Sequence, residues 1–182
     1  MRRFRALFVA AMAAIVVAAA GTPALAYHLE GPKWQNTPNS GCCATINVQY
    51  SSAFYTGDKA AFDGARSAWN NSAANVVLPS AGGSLTVDDT SDNNVSWDGY
   101  TSYTWHTTGG VKYFTNAHVL LNYYYTSGYS AATKQGVAAH ELGHAIGLDH
   151  TSGCVLMNPN TSSRCGLTGP VGDDVNGTNH LY

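Results

Sequence analysis

His140-Glu-Leu-Gly-His-Ala-Ile-Gly-Leu-Asp-His150 is the stretch that decides the fold of this chain. His140 and His144 are four residues apart, so on an α-helix their side chains leave one face about 40° from each other. Two imidazoles placed that way can hold one zinc ion from one side. Glu141 stands on the same edge, where it can hold a water at the metal without itself being a ligand. Gly147 accepts the left-handed backbone that ends a helix. The turn there lets His150 return as third ligand and leaves a fourth position open, which separates a catalytic zinc from a structural one. The bland alternative is a buried helix whose histidines are satisfied by hydrogen bonds. Against it, one of only two glutamates in the chain occupies the catalytic place.

The surrounding composition points to export. Met1 to Ala26 reads as a signal peptide: Arg2, Arg3 and Arg5, the apolar run Ala6 to Ala20, then Ala24-Leu-Ala26 as a small-residue cleavage site. Gly21, Thr22 and Pro23 interrupt the apolar run too soon for a membrane span, although an uncleaved anchor is the alternative. Residues 27–182 are then one domain, long enough for a hydrophobic core. Removing the three arginines from nine basic residues leaves six against eleven acidic ones, a formal charge of −5. An acidic chain without a basic cluster is a poor nucleic-acid binder.

Periodicity supports a mixture of helix and strand. Thr45 to Ser51 alternates Ile46, Val48 and Tyr50 on one face, as a half-buried strand does. Thr56 can cap a helix from about Asp58 to Ala74, with Ala61, Phe62, Ala65, Ala68 and Trp69 as its apolar stripe. Val76–Leu78, Ser84–Val87, Val111–Phe114 and Val119–Tyr125 read as extended, and residues 88–110 are less regular. The histidine-bearing helix runs from Ser130 or Thr133 to Ile146, and a last helix follows Asp173.

The zinc motif followed by Met157, in Cys154-Val-Leu-Met-Asn-Pro159, resembles the signature of the metzincin peptidases. Within that clan the chain most resembles the matrixins: Pro159 follows Met157 by two, Gly172-Asp-Asp-Val-Asn-Gly177 and the closing Leu-Tyr182 look like the family's last helix, and Trp34 and Trp69 fit as well. The resemblance implies an α+β catalytic domain over residues 27–182, with a mixed twisted sheet, an active-site helix, a second long helix and a C-terminal helix. It implies a secreted zinc endopeptidase acting on extracellular proteins as a monomer, with His140, His144 and His150 as metal ligands and Glu141 as general base. Met157 is expected beneath the metal, and Asn158 to Thr161 beside the pocket for the residue after the cleaved bond. Asp173 is expected to tie the last helix to the methionine turn and Asp174 to meet the mature N-terminus. Substrate is expected to dock as a strand along Trp97–His106, the alternative being an ordinary surface loop. Only Tyr27 to Lys33 separates the cleavage point from Trp34, so a minimal, bacterial-type member without an inhibitory propeptide is expected.

Four cysteines, Cys42, Cys43, Cys154 and Cys165, follow the signal, and export favours disulfides. Three pairings are open. Cys154 with Cys165 is favoured because a short oxidised loop there firms the floor of the site, and the snapalysin-type zinc endopeptidases resemble this chain in placing Met between two nearby cysteines. Cys42 and Cys43 are then left to each other; crossed pairs are the alternative. Asp88, Asp89, Asp92, Asn93, Asn94 and Asp98 are hard donors that suit calcium, or else form a solvated turn. His106 and His118 are candidates for a structural zinc, but the family's His-x-Asp motif for that site is missing. Two other classes compete: a zinc hydrolase acting on a non-peptide amide such as a cell-wall bond, and a secreted binding protein with a retired site. The intact Glu141 and three histidines argue against the second.

Overall fold

The computed structural model describes residues 27–35 and 43–182. The expected export signal and Cys42 lie outside the described residues. In chain order the elements are β1 (His28–Leu29), β2 (Ala44–Thr45), β3 (Val48–Tyr50), α1 (Asp58–Asn70), β4 (Val76–Val77), β5 (Leu85–Thr90), β6 (Gly99–Thr108), β7 (Val111–Asn122), α2 (Tyr123–Thr126), α3 (Ala131–Ala145), β8 (Leu148–Asp149), a 3-10 turn (Thr161–Arg164) and α4 (Gly172–Leu181).

Four strands form a mixed sheet in the order β3-β5-β7-β6, with β6 antiparallel to β7 and the other pairs parallel. Alternation sets its buried face: Leu85 and Val87 on β5, and Ala117, Val119 and Leu121 on β7, are enclosed. The α1 stripe of Ala61, Phe62, Ala65 and Trp69 is buried against α3, and the Trp69 indole donates to the Ala139 carbonyl at 3.0 Å. Two small pairings flank the sheet, β2 with β4 in parallel and β1 with β8 antiparallel. The second ties the N-terminal strand to the segment just after the histidine helix.

Several boundaries differ from the sequence reading for local reasons. The Thr45–Ser51 strand divides between β2 and β3. Helix α1 begins after Gly57, at φ 86°, rather than after a Thr56 cap, and stops at Asn70 rather than Ala74. Asn70 turns its side chain onto the backbone of Leu78, with its Oδ1 accepting the amide at 2.7 Å. The two extended segments of 111–125 are one strand that ends at Asn122, whose buried side chain accepts the Tyr124 amide and starts a helical turn. The irregular stretch before it contains β6, joined to β7 by Gly109 and Gly110, both at positive φ. That pair suits a tight hairpin.

Candidate metal centre

Helix α3 starts at Ser130, whose Oγ accepts the Thr133 amide at 3.1 Å, and carries His140, Glu141 and His144 into the interior. It lies so close to its neighbours that added side chains do not fit: a Cβ on Gly136 would stand 2.4 Å from the Leu167 carbonyl oxygen, and one on Gly143 2.4 Å from Met157 Sδ. Gly147, at φ 108°, breaks the helix. The chain turns through β8 and returns His150.

The three Nε2 atoms meet. Nε2 of His144 is 3.1 Å from that of His140 and 3.1 Å from that of His150, and the last two are 3.3 Å apart. Ligands about 2.0–2.1 Å from a tetrahedral zinc stand about 3.3–3.4 Å from one another, so this triangle has the size of a zinc face. The other nitrogens explain why a cation is needed. His140 Nδ1 donates to the Leu156 carbonyl and His144 Nδ1 to the Leu148 carbonyl, each at 2.8 Å. Their Nε2 atoms therefore face each other as lone pairs, which a metal ion relieves. Burial, with Arg164 adding to it, holds the His140 imidazole well below its ordinary pKa. Burial likewise lowers His150, with His144 adding to it. Both favour the neutral, ligating form. Burial lowers His144 too, but the bond to Glu30 and the charge of Glu141 outweigh it and leave that group raised.

Met157, 1% exposed, packs against the histidine helix at Gly143, next to His144. Its turn is fixed by Asp174, whose two carboxylate oxygens accept the amides of Leu156 at 3.2 Å and Met157 at 3.1 Å. Asp174 also accepts the Val171 amide at 2.8 Å, as an acidic residue in the first turn of a helix does when it folds back. The expected roles of the acidic pair are thus corrected: Asp174, not Asp173, ties the last helix to the methionine turn. Cys154 and Cys165 form a disulfide around this loop.

Glu141 is enclosed, and burial raises its carboxyl pKa. Its Oε2 accepts from the Thr101 hydroxyl at 2.7 Å, while Oε1 lies 4.0 Å from His140 Nε2. Strand β6 reaches it only because residue 99 is glycine: a Cβ there would stand 2.7 Å from Glu141 Cγ.

Across residues 31–182 the sequence matches the matrixin family model. The chain belongs to the matrixin family. Among solved structures it is similar to high choriolytic enzyme 1, a hatching-enzyme zinc-protease from the medaka fish Oryzias latipes, at 18% identity and a TM-score of 0.39. That similarity covers 65% of this chain and 50% of the fish protein, so the chain spans half of that protein's length. No curated protein sequence matches.

In this matrixin His140, His144 and His150 are the ligands of the catalytic zinc, the one group of metal-capable side chains that converges among the described residues. The loop acids and the other histidines do not join that group. Asp89 accepts the Tyr55 amide, Asp92 accepts from Asn94, and Asp88 accepts the Asp89 amide. His106 faces Tyr113 across the β6–β7 pair, while His118 lies opposite Ser102. His28 Nδ1 donates to the His150 carbonyl at 2.9 Å.

A cleft of about 420 Å³ runs past Trp97, Gly99, Thr101 and the zinc ligands. A second cavity, of about 640 Å³, is lined by Pro159, Asn160 and Thr161 with Tyr129 and Arg164. Asn158 stays out of that wall and turns inward, donating to the Gly153 carbonyl. Three polar residues of the site carried no signal in the motif: Glu30, Thr101 and Arg164. Arg164 is 3% exposed and braces the wall by donating to the carbonyls of Asn158 and Pro159 at 2.8 and 3.3 Å. Asp98 faces the same cavity, accepting from Thr161 at 2.8 Å and Tyr129 at 3.1 Å. Glu30 lies at the cleft, its Oε1 3.1 Å from His144 Nδ1 and its Oε2 accepting from the Tyr103 hydroxyl at 2.6 Å. A hint was present in composition: both glutamates of the chain stand at the metal centre.

Proposed function

We propose that this matrixin is a secreted endopeptidase, exported by the segment Met1–Ala26 and hydrolysing peptide bonds of extracellular proteins as a monomer. The observation that carries the catalytic assignment is the enclosed carboxylate of Glu141 beside the histidine triangle, with Oε1 4.0 Å from His140 Nε2. Zinc held by the three nitrogens supplies the Lewis acidity that makes water nucleophilic near neutral pH and polarises the scissile carbonyl. Glu141 is the base. It takes a proton from the attacking water and delivers it to the leaving amide nitrogen. Thr101 occupies Oε2 with its hydroxyl, which steadies the carboxylate and leaves Oε1 for the proton.

Strand β6 ends the sheet, and its first residues, Gly99 to Thr101, line the cleft. A peptide laid antiparallel along it gains main-chain hydrogen bonds and passes over Glu141. The side chain after the scissile bond then enters the cavity walled by Pro159 to Thr161.

Residues 27–182 loaded with zinc should cleave casein. Glu141→Gln should keep fold and metal while slowing cleavage about 10²–10⁴-fold. Undiminished cleavage by that variant removes Glu141 from the mechanism. A folded, zinc-loaded wild type that leaves casein intact defeats the general-protease reading and favours a non-peptide amide such as a cell-wall bond.

A further inference from the structure

Outside the ligands and Glu141, one carboxylate reaches a zinc ligand from the N-terminal segment. The segment His28–Glu30 is held by β1–β8 pairing, His28 opposite Asp149 and Leu29 opposite Leu148. The Glu30 amide extends this ladder by donating to the Gly147 carbonyl at 3.0 Å. That register carries the Glu30 side chain past the end of α3, where Oε1 comes 3.1 Å from His144 Nδ1. Tyr103, on β6, closes the other oxygen with a 2.6 Å bond and packs its ring edge-on to Phe114. One carboxylate thereby joins the N-terminal strand, a zinc ligand and the substrate-side strand.

We propose that Glu30 is a positioning residue of the zinc site: with Tyr103 it forms a charged outer layer that orients His144 and strengthens its hold on the metal.

The chemistry runs through the proton on His144 Nδ1. That nitrogen hydrogen-bonds the Leu148 carbonyl at 2.8 Å, and the Glu30 carboxylate stands 3.1 Å from it. A backbone carbonyl alone fixes the tautomer and the ring plane. A carboxylate adds negative charge, making the imidazole a stronger electron donor and offsetting the charge that three neutral histidines leave on zinc. His140 has no such anion; its Nδ1 meets the Leu156 carbonyl. The Tyr103 hydroxyl keeps the carboxylate from swinging to solvent. Because the segment also holds the third ligand's backbone, through His28 and the His150 carbonyl, zinc and the N-terminal strand should stabilise each other reciprocally.

The inference rests on the metal-site reading, and its test separates the two. Glu30→Gln, which keeps shape and loses charge, should bind zinc about 10–100-fold more weakly in chelator competition. Its zinc-free Tm should match the wild type. Tyr103→Phe should weaken zinc binding in the same direction and less. In wild type, zinc should slow amide exchange at Glu30. A zinc constant within twofold of wild type in Glu30→Gln overturns the proposal, as does a zinc-free Tm that falls enough to account for the weaker binding. Wild type that binds no zinc defeats the metal site itself.

Discussion

His140 and His150 meet at one point but are held by opposite kinds of structure. His140 is 1% exposed, sits in the middle of α3, and is oriented by the Leu156 carbonyl on a turn that Asp174 pins from α4. His150 is exposed and follows a two-residue strand whose partner is the two-residue β1. The first ligand is fixed by the core, and moving it means breaking packing. The second is fixed by a short ladder at the N-terminus, which opens locally at far lower cost. Metal affinity therefore depends on the weaker of two supports, while global stability depends on the stronger.

Substitutions should pull these supports apart. Asp174→Ala strikes the core side. It strands the amides of Leu156, Met157 and Val171, so unfolding in urea should show a loss on the order of 3–5 kcal/mol, with zinc binding falling only as the fold does. Gly147→Ala strikes the junction. At φ 108° with a new Cβ 2.8 Å from the Pro32 carbonyl oxygen, it should cost about 1–3 kcal/mol and weaken zinc binding beyond that loss. His28→Ala touches only the peripheral side. Its Tm should move by less than the equivalent of about 0.5 kcal/mol, yet zinc should leave faster in a stopped-flow chelator experiment. A His28 variant with an unchanged release rate, or an Asp174 variant with a wild-type unfolding curve, would erase the contrast.

The core side was largely legible in the sequence, because its information is local. Residues four apart on a helix define His140 and His144, and the helix itself came out as Ala131–Ala145 against an expected Ser130 or Thr133 to Ile146. The methionine turn and its disulfide were read from twelve contiguous residues, Cys154 to Cys165. The peripheral side was not legible. Tyr103 reaches Glu30 across 73 positions and Thr101 reaches Glu141 across 40, and no periodicity encodes such meetings. Strand β6 escaped the periodicity reading because Gly-Tyr-Thr-Ser-Tyr-Thr-Trp-His-Thr-Thr is polar on both faces, as an end strand with an open side is free to be. The tie to the methionine turn, expected of Asp173 and made by Asp174, turned on a single residue of helix phase, which Val171 as N-cap decided.

Gly99 links the geometry of recognition to that of catalysis. Its missing side chain lets the end strand of the sheet lie directly on Glu141, within reach of a Cβ that would also press on Val137 at 2.8 Å. In the proposed docking, peptide and base are spaced by bare backbone, so neither can be adjusted alone. A larger residue at 99 would raise the substrate and tilt the carboxylate in one movement, and any compensating change must come from the helix side, at Val137 or Glu141. Natural or laboratory variation that alters how deeply substrates sit in this enzyme should therefore appear in coupled pairs across that gap.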